Sequence, residues 1–443
     1  MHRILGVSLM ILICTSLSAQ RNGNSPYSRF GIGDISDLSF VHLRQMGSIG
    51  SSFVDNYQVN VNNPASYAFL KSTAFEIGMA ANRSKLTENG TTSEPIWSGN
   101  LEYLSLAFPL QNDLNQLLDR KIKPYRFGMA FTLAPASNVA YNIESVTVDP
   151  DDGEIIRNYN GTGGSYKFLW GTGFKYKNFA VGTNLGYQFG NVTYERVVNF
   201  SDIQFAYDDI FKNQYSMNGF VFDLGTVYTI VLNKPKEDNQ NSTPINSITF
   251  GLTYNNSTSL NTTAEISQLA IQSETNSIDT AFLSKGVEGQ AKLPSAIGIG
   301  ASYRKGNSFM IGVDYKATNW NQYFNEATDE VKETLKNTST MSVGGYYRPN
   351  YKSYTSYWNR VYYRFGAYTK GDPREIDGTQ LRTSAVTLGL GLPFVFKRKV
   401  SHANLGFEIG KRGAGTPISE TFCRFSVGFT FNDDEWFLKR KYN

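Results

Sequence analysis

The chain has 443 residues, with 42 Lys and Arg against 38 Asp and Glu and a formal net charge of +4. That balance is too small to point to a nucleic-acid partner. Of two cysteines, Cys14 falls in an amino-terminal leader, which leaves Cys423 alone and excludes a disulfide framework. The 30 Phe, 27 Tyr and 40 Gly sit beside only 18 % charged residues, a mixture that suits a wall alternating apolar and polar positions.

Residues 1–20 read as a secretory signal peptide. His2 and Arg3 precede an apolar core from Ile4 to Leu17, followed by small residues, and the run is too short to span a bilayer as a helix. Residues 21–71, rich in Gly, Ser and Asn, show no sustained apolar period. They are expected to form a hatch, or plug, inside a lumen; a disordered leader has the same composition. The change of period falls at Asn63-Pro64-Ala65, where Pro64 lacks a donor and fixes its own φ. These three residues mark the hatch–barrel junction.

From Ser72 the alternation of strands takes over. Phe75/Ile77/Met79, Leu104/Leu106/Phe108 and Phe127/Met129/Phe131 are the first apolar faces, and fourteen such segments can be counted up to Phe425/Val427/Phe429/Phe431. Apolar residues facing lipid and polar ones facing a lumen are the signature of an outer-membrane barrel. The fold class is therefore all-β, a 14-stranded antiparallel transmembrane barrel over residues 72–431. A secreted array of sandwiches would carry repeats or linkers, and neither is present. Turn lengths agree with an even count: 176–178, 304–307 and 397–401 are short, whereas 144–163, 193–214, 263–286 and 318–337 read as long outer loops. Ala134-Pro135-Ala136 interrupts the third segment, and Pro135 marks either a break in the wall or an ordinary strand end. Phe429 and Phe431 close the last strand as a carboxy-terminal insertion signal. Residues 432–443 continue as a periplasmic tail containing Lys439-Arg440-Lys441.

The Gly47-Ser48-Ile49-Gly50 and Asn63-Pro64-Ala65 motifs resemble the hatch junction of the FadL/OmpP1/TodX family. Leu293-Pro294-Ser295, Gly298-Ile299-Gly300, Gly312-Val313-Asp314-Tyr315 and Leu388-Gly389-Leu390-Gly391 are similar to its later strands. The opening SPYSRFGIGD and the closing WFLKRKY resemble its Bacteroidetes branch. The resemblance implies a monomeric barrel closed by a hatch, with passive transport of long-chain fatty acids or aromatic hydrocarbons through an opening in the wall. Relatives in the same branch serve as subunits of outer-membrane assembly or secretion machines. Two functions are thus expected in turn: a hydrophobic-compound channel, and a structural subunit that does not transport. The partners would be outer-membrane lipid with hydrophobic small molecules, or other outer-membrane and periplasmic proteins.

Catalytic and cofactor chemistry is not expected. Neither His42 nor His402 lies in a nucleophile context or has a second histidine at ligand spacing. Asp149, Asp151 and Asp152 gather hard oxygen ligands able to hold Ca²⁺, although Asp-Gly at a hairpin tip gives the same pattern. Among lumen-facing charges, Arg126 and Lys316 are candidates to receive a carboxylate headgroup. The others, including Glu76, Glu102, Asp314 and Arg364, are expected to pair with one another or with Arg29, Asp34 and Asp37.

Overall fold

The computed structural model describes residues 25–433 apart from 30–31, 89–90, 112–115, 117–119, 121–122, 151–152, 204–205, 234–244, 273–274, 276 and 329–334. Fourteen antiparallel strands form a closed barrel. They are β1 (Thr73–Glu88), β2 (Ile96–Pro109), β3 (Tyr125–Asp149), β4 (Gly153–Tyr176), β5 (Phe179–Phe200), β6 (Tyr207–Val231) and β7 (Asn246–Asn255, resuming as Ser259–Gln272). The circuit continues through β8 (Ser277–Lys292, resuming as Ala296–Lys305), β9 (Phe309–Thr318), β10 (Thr338–Tyr347), β11 (Tyr362–Ile376), β12 (Thr379–Phe396), β13 (Lys399–Arg412) and β14 (Ile418–Asp433). β14 closes the ring on β1, with Phe431 opposite Phe75 and Gly428 opposite Gly78. Outward positions such as Met79, Phe168, Leu252, Ile299, Val313 and Met341 are exposed. Only lipid can cover an apolar band of that extent.

Three of the four expected outer loops are instead continuations of the strands. The β3–β4 ladder runs out to Asp149 opposite Gly153, β5–β6 to Val198 opposite Asp209, and β7–β8 to Gln272 opposite Ser277. Above the membrane both faces of a strand meet water or polar neighbours. The two-residue alternation fades there while the Val, Ile, Thr and Tyr that favour strands persist. The fourth, after β9, is a folded loop. It buries Trp320, Tyr323 and Ala327 in one core with Tyr215, Met217 and Leu260.

The amino-terminal segment has little regular structure: 3₁₀ turns at Pro26–Arg29 and Pro64–Phe69 and one helical turn at Val41–Arg44. It is nonetheless tightly held. Phe40, Leu43, Met46, Ile49 and Tyr67 are fully buried. Its polar groups reach inward-facing groups on opposite sides of the ring. The Tyr67 hydroxyl donates to Asn184 Oδ1 of β5 at 2.9 Å, and the Gly47 amide to Thr387 Oγ1 of β12 at 3.0 Å. Glu76 of β1 accepts the Val59 amide at 2.7 Å, and Asp314 of β9 accepts the amides of Gly50 and Ser51 at 2.7 and 2.6 Å.

What lets a bare backbone come so near the wall is glycine. Gly128, Gly173, Gly182 and Gly225 stand directly opposite one another across β3 to β6. A β-carbon at any of them would overlap atoms of Asn63, Pro64 or Tyr67. Gly344 and Gly366, paired across β10 and β11, receive the backbone of Met46 and Gly47 in the same way. A strand-interior glycine costs roughly 0.5–1 kcal/mol against alanine, so a run of them is the mark of another backbone in close approach. Asn63 fixes one end of this contact. Its Oδ1 caps the following turn at Ala65 N (3.1 Å), while Nδ2 donates to Ser51 O at 2.6 Å and to Thr226 O of β6 at 3.1 Å.

Gly182→Val and Gly366→Val are therefore expected to destabilise the barrel by at least about 1–3 kcal/mol through overpacking against backbone. The check is the temperature at which the folded, fast-migrating form is lost on a denaturing gel. Gly371→Ala, whose added β-carbon would meet nothing nearer than 3.5 Å, should leave that temperature unchanged.

Candidate functional site

The wall has one short ladder. β2 and β3 pair only from Leu104–Leu133 to Pro109–Gly128, whereas β3 stays paired with β4 to its outer end. Pro135 lies two residues beyond the last β2 contact, beside a register shift between Pro135 and Ser137. The proline does not end β3. It sits where β3 parts from β2, and having no N–H it gives up nothing on that side.

The edge that β2 leaves free is taken up by the amino-terminal segment. Asp34 and Ile35 pair with Asn138 and Ser137. The Ser36 amide donates to Ala136 O at 3.0 Å and the Ser25 amide to Ala140 O at 2.9 Å, while the Ala140 amide donates to Ser28 Oγ at 3.2 Å. Residues 25–29 and 32–36 thus form a strap along the parting.

Its other side is anchored by charge. Asp34 accepts from Arg374 of β11 at 2.8 Å and from Arg412 of β13 at 2.9 Å, and both arginines also bind Asp372, at 2.6 and 2.7 Å. Arg374 donates further to the Tyr27 carbonyl, Arg412 lies 4.6 Å from the centre of the Tyr27 ring, and the Tyr27 hydroxyl donates to Ile418 O of β14 at 2.8 Å. Lys370 pairs with Asp37 at 3.0 Å. Burial by itself would raise the Asp34 carboxyl, whereas Asp37, just past the strap, is about half exposed. Arg412 and Arg374 outweigh that burial and hold Asp34 well below the usual carboxylate range, and Lys370 with Arg44 brings Asp37 down to about 2.

A cavity of about 280 Å³ lies beside the strap, lined among others by Asp34, Arg44, Glu102, Arg374, Arg412 and Arg424. Glu102 pairs with Arg44 at 3.5 Å and also with Arg424, so charges of both signs answer one another across it. A hydrophobic compound would have to displace hydrated or paired ions to enter. A carboxylate headgroup would compete with carboxylates already in place. An apolar concavity of about 1080 Å³ is lined by outward residues of β8 to β13 such as Ile299, Val313, Met341, Val343, Val386 and Ile409, which places it on the lipid-facing wall.

The residues singled out from sequence are dispersed. Arg126 begins β3 opposite Lys175, Lys316 is exposed near the outer end of β9, and nothing brings the two together. Asn63, Pro64 and Ala65 lie buried against β4 to β6. Phe429 and Phe431 stack on each other at the inner end of β14, where Phe431 also meets Phe75, Phe394 and Phe396. Asp149 ends β3, while Asp151, Asp152, the signal peptide and residues 434–443 fall outside the described residues. Among the described residues no three of His, Cys, Asp and Glu are grouped to hold a metal ion. Arg364 reaches the amino-terminal segment, donating to Gln45 Oε1 at 2.8 Å and Gln58 Oε1 at 3.1 Å. Asp372, Arg374 and Arg412 were not signalled, because they lie on the outer strand ends where alternation has lapsed.

The family model of BamG matches residues 1–443. The chain belongs to the BamG family. No curated protein matches it. Solved structures to which it is similar include a Pseudomonas aeruginosa FadL homologue (13 % identity, TM-score 0.56, covering 90 % of this chain and 98 % of that one). Others are the Pseudomonas putida toluene transporter TodX (15 %, 0.54, 90 % and 100 %) and the Ralstonia pickettii toluene transporter TbuX (12 %, 0.52, 88 % and 97 %). At these identities the likeness is one of fold, that of outer-membrane barrels. The resemblance to FadL and TodX is thus one of architecture, while the matching family is BamG.

Asp34→Asn should loosen the strap, because removing one partner from a largely buried ion-pair network costs on the order of 3 kcal/mol. In the unmodified protein the Asp34 and Asp37 carboxyls both sit below their unfolded value of about 3.9. Their contribution is therefore complete above that pH and is lost as pH falls towards 2. A nitroxide on Ser36→Cys in a Cys423→Ser background should report an immobile strap from pH 8 to 5, mobility setting in only below about pH 4, and mobility already at pH 7 with Asp34→Asn.

Proposed function

We propose that this protein is a closed, non-conducting barrel that serves as a structural subunit of an outer-membrane protein assembly machine. It would stand in the outer membrane of a Gram-negative bacterium after removal of residues 1–20, with residues 21–71 as its hatch and residues 432–443 as a periplasmic tail. The observation that carries this reading is the strap. The edge of β3 that a laterally opening channel would leave accessible is bonded to Ser25, Ser28 and residues 34–36, and ion pairs from Asp34 to β11 and β13 hold the strap in place. Membership of the BamG family points the same way. So do the charged lining of the cavity beside the strap and the siting of the apolar concavity on the outer wall.

The second reading, a passive channel for hydrophobic compounds, is favoured by the fold shared with the toluene transporters TodX and TbuX. It requires the strap to leave its seat during transport. Affinity purification from gently solubilised outer membranes, with mass spectrometry of proteins and lipids together, separates the two. The subunit reading expects other outer-membrane proteins in stoichiometric recovery and no lipophilic ligand in the barrel. A solitary monomer that retains such a ligand, with toluene uptake lost on deletion, would establish the channel instead.

A further inference from the structure

The loop from Arg348 to Val361, joining β10 to β11 at the inner end of the barrel, carries Tyr351, Tyr354, Tyr357 and Trp358 at its surface. Tyr354 is 98 % exposed and Trp358 59 %. Exposed aromatics on a mobile loop would mean little, but this loop is internally folded. The Asn350 amide donates to Asn359 O at 2.8 Å, closing its base, and the Arg360 amide to Tyr357 O at 2.9 Å. The Lys352 amide bonds Asn350 Oδ1 at 3.0 Å, and the Ser356 amide bonds the Ser353 hydroxyl at 3.2 Å. Cations are interleaved with the rings: Arg348 and Lys352 lie 5.0 and 5.6 Å from the Tyr351 ring centre, and Arg360 lies 5.6 Å from that of Tyr357.

Membrane anchoring does not account for these rings. Tyr347 and Tyr363, opposite each other on the last turns of β10 and β11, already supply the lipid-facing girdle at this point. The loop begins beyond both, and Tyr354 is at its middle. Among the described residues the surrounding charge is predominantly cationic. The inner turns on either side, β8–β9 and β12–β13, bear Lys305, Lys397, Arg398 and Lys399. Of the carboxylates at this end, Asp433 is paired with Lys397 and Asp55 accepts the amides of Tyr57 and Gln58. Rigid Tyr and Trp interleaved with Arg is the composition of an interface hot spot, and pre-folding lowers the entropy cost of using it.

We propose that the loop 348–361 is the docking surface for an acidic, periplasm-facing protein, whose carboxylates meet the cationic inner rim while Tyr354 and Trp358 supply the apolar contact. This rests on the subunit reading above and specifies its partner and its surface.

The test starts from tagged full-length protein in its native outer membrane, with p-benzoyl-phenylalanine at position 354. Illumination should yield one crosslinked protein whose attached peptide is rich in Asp and Glu. Tyr354→Ala with Trp358→Ala, and separately Lys352→Glu, should each lower recovery of that protein at least tenfold and leave the barrel's heat-resistant gel mobility unchanged. Recovery with the unmodified loop should fall as salt rises from 0.05 to about 0.5 M, where screening shortens to a few ångströms. Undiminished recovery from both variants would overturn the docking surface while leaving the subunit reading intact. Isolation of the unmodified protein alone would overturn both. Crosslinks to phospholipid only, with anionic lipid lost from the variants, would overturn the protein partner in favour of headgroup contact.

Discussion

The backbone-to-backbone approach between residues 45–67 and the barrel wall is the constraint on which the rest of the structure depends. Side chains normally hold two such layers about 10 Å apart. Here glycine on the wall removes the spacer at Gly128, Gly182, Gly251, Gly344 and Gly366, and carbonyls of Ser51, Met46, Pro64 and Tyr67 or the Gly47 amide occupy the space. An irregular segment buried that deeply must place its backbone amides, and the wall supplies the acceptors. Glu76 and Asp314 accept amides rather than facing cations, and Asn184 and Thr387 supply uncharged oxygens. Position and hydrogen bonding are thus fixed together, which explains why a segment with only three short turns is nevertheless ordered.

The strap along β3 follows the same economy of means. A parted wall exposes unpaired strand groups, and such groups are not left bare in a bilayer. Residues 34–36 and Ser25 supply the missing partners, and the Asp34–Arg374–Arg412–Asp372 cluster ties the strap to β11 and β13. The barrel shares its fold with the toluene transporters TodX and TbuX. Paired charges line the space beside the parting, and apolar concavity is turned outwards.

Much of this architecture was legible in the sequence, and the part that was not has a common cause. Period-2 alternation reports which face a residue takes wherever one side meets lipid, so the strand number and the closure through Phe425–Phe431 could be read. It is silent where both faces are polar, so the outer thirds of β3 to β8 read as loops. Pro135 was visible as a perturbation, but a missing donor does not say whether a strand ends or parts from its neighbour. The Asn63-Pro64-Ala65 boundary showed as a change of period, while the four facing glycines that receive it lie on β3 to β6, up to 162 residues away at Gly225. Pairings such as Asp34 with Arg412, 378 residues apart, depend on ring closure and leave no local trace. Arg126 and Lys316 were legible as lumen cations because alternation gives a residue's face, but it gives neither its height nor its neighbours, and the two lie apart at opposite ends of β3 and β9.

With residues 40–70 packed against the inner face of the wall, the chemistry left to consider lies at the two ends of the barrel. At the outer end the loop after β9 folds Trp320 and Tyr323 into a shared core with β6 and β7, so its aromatics are consumed by packing. At the inner end the loop after β10 has a comparable aromatic content and holds it in the opposite way, on a hydrogen-bonded frame with the rings facing solvent and cations between them. Burying those rings within the protein would have gained stability at roughly 25 cal/mol per Å². A folded loop that forgoes this gain, next to a rim of Lys and Arg, is better explained by an external contact than by the stability of the barrel. If the protein is the structural subunit proposed above, its inner rim rather than its lumen is the working surface of the molecule.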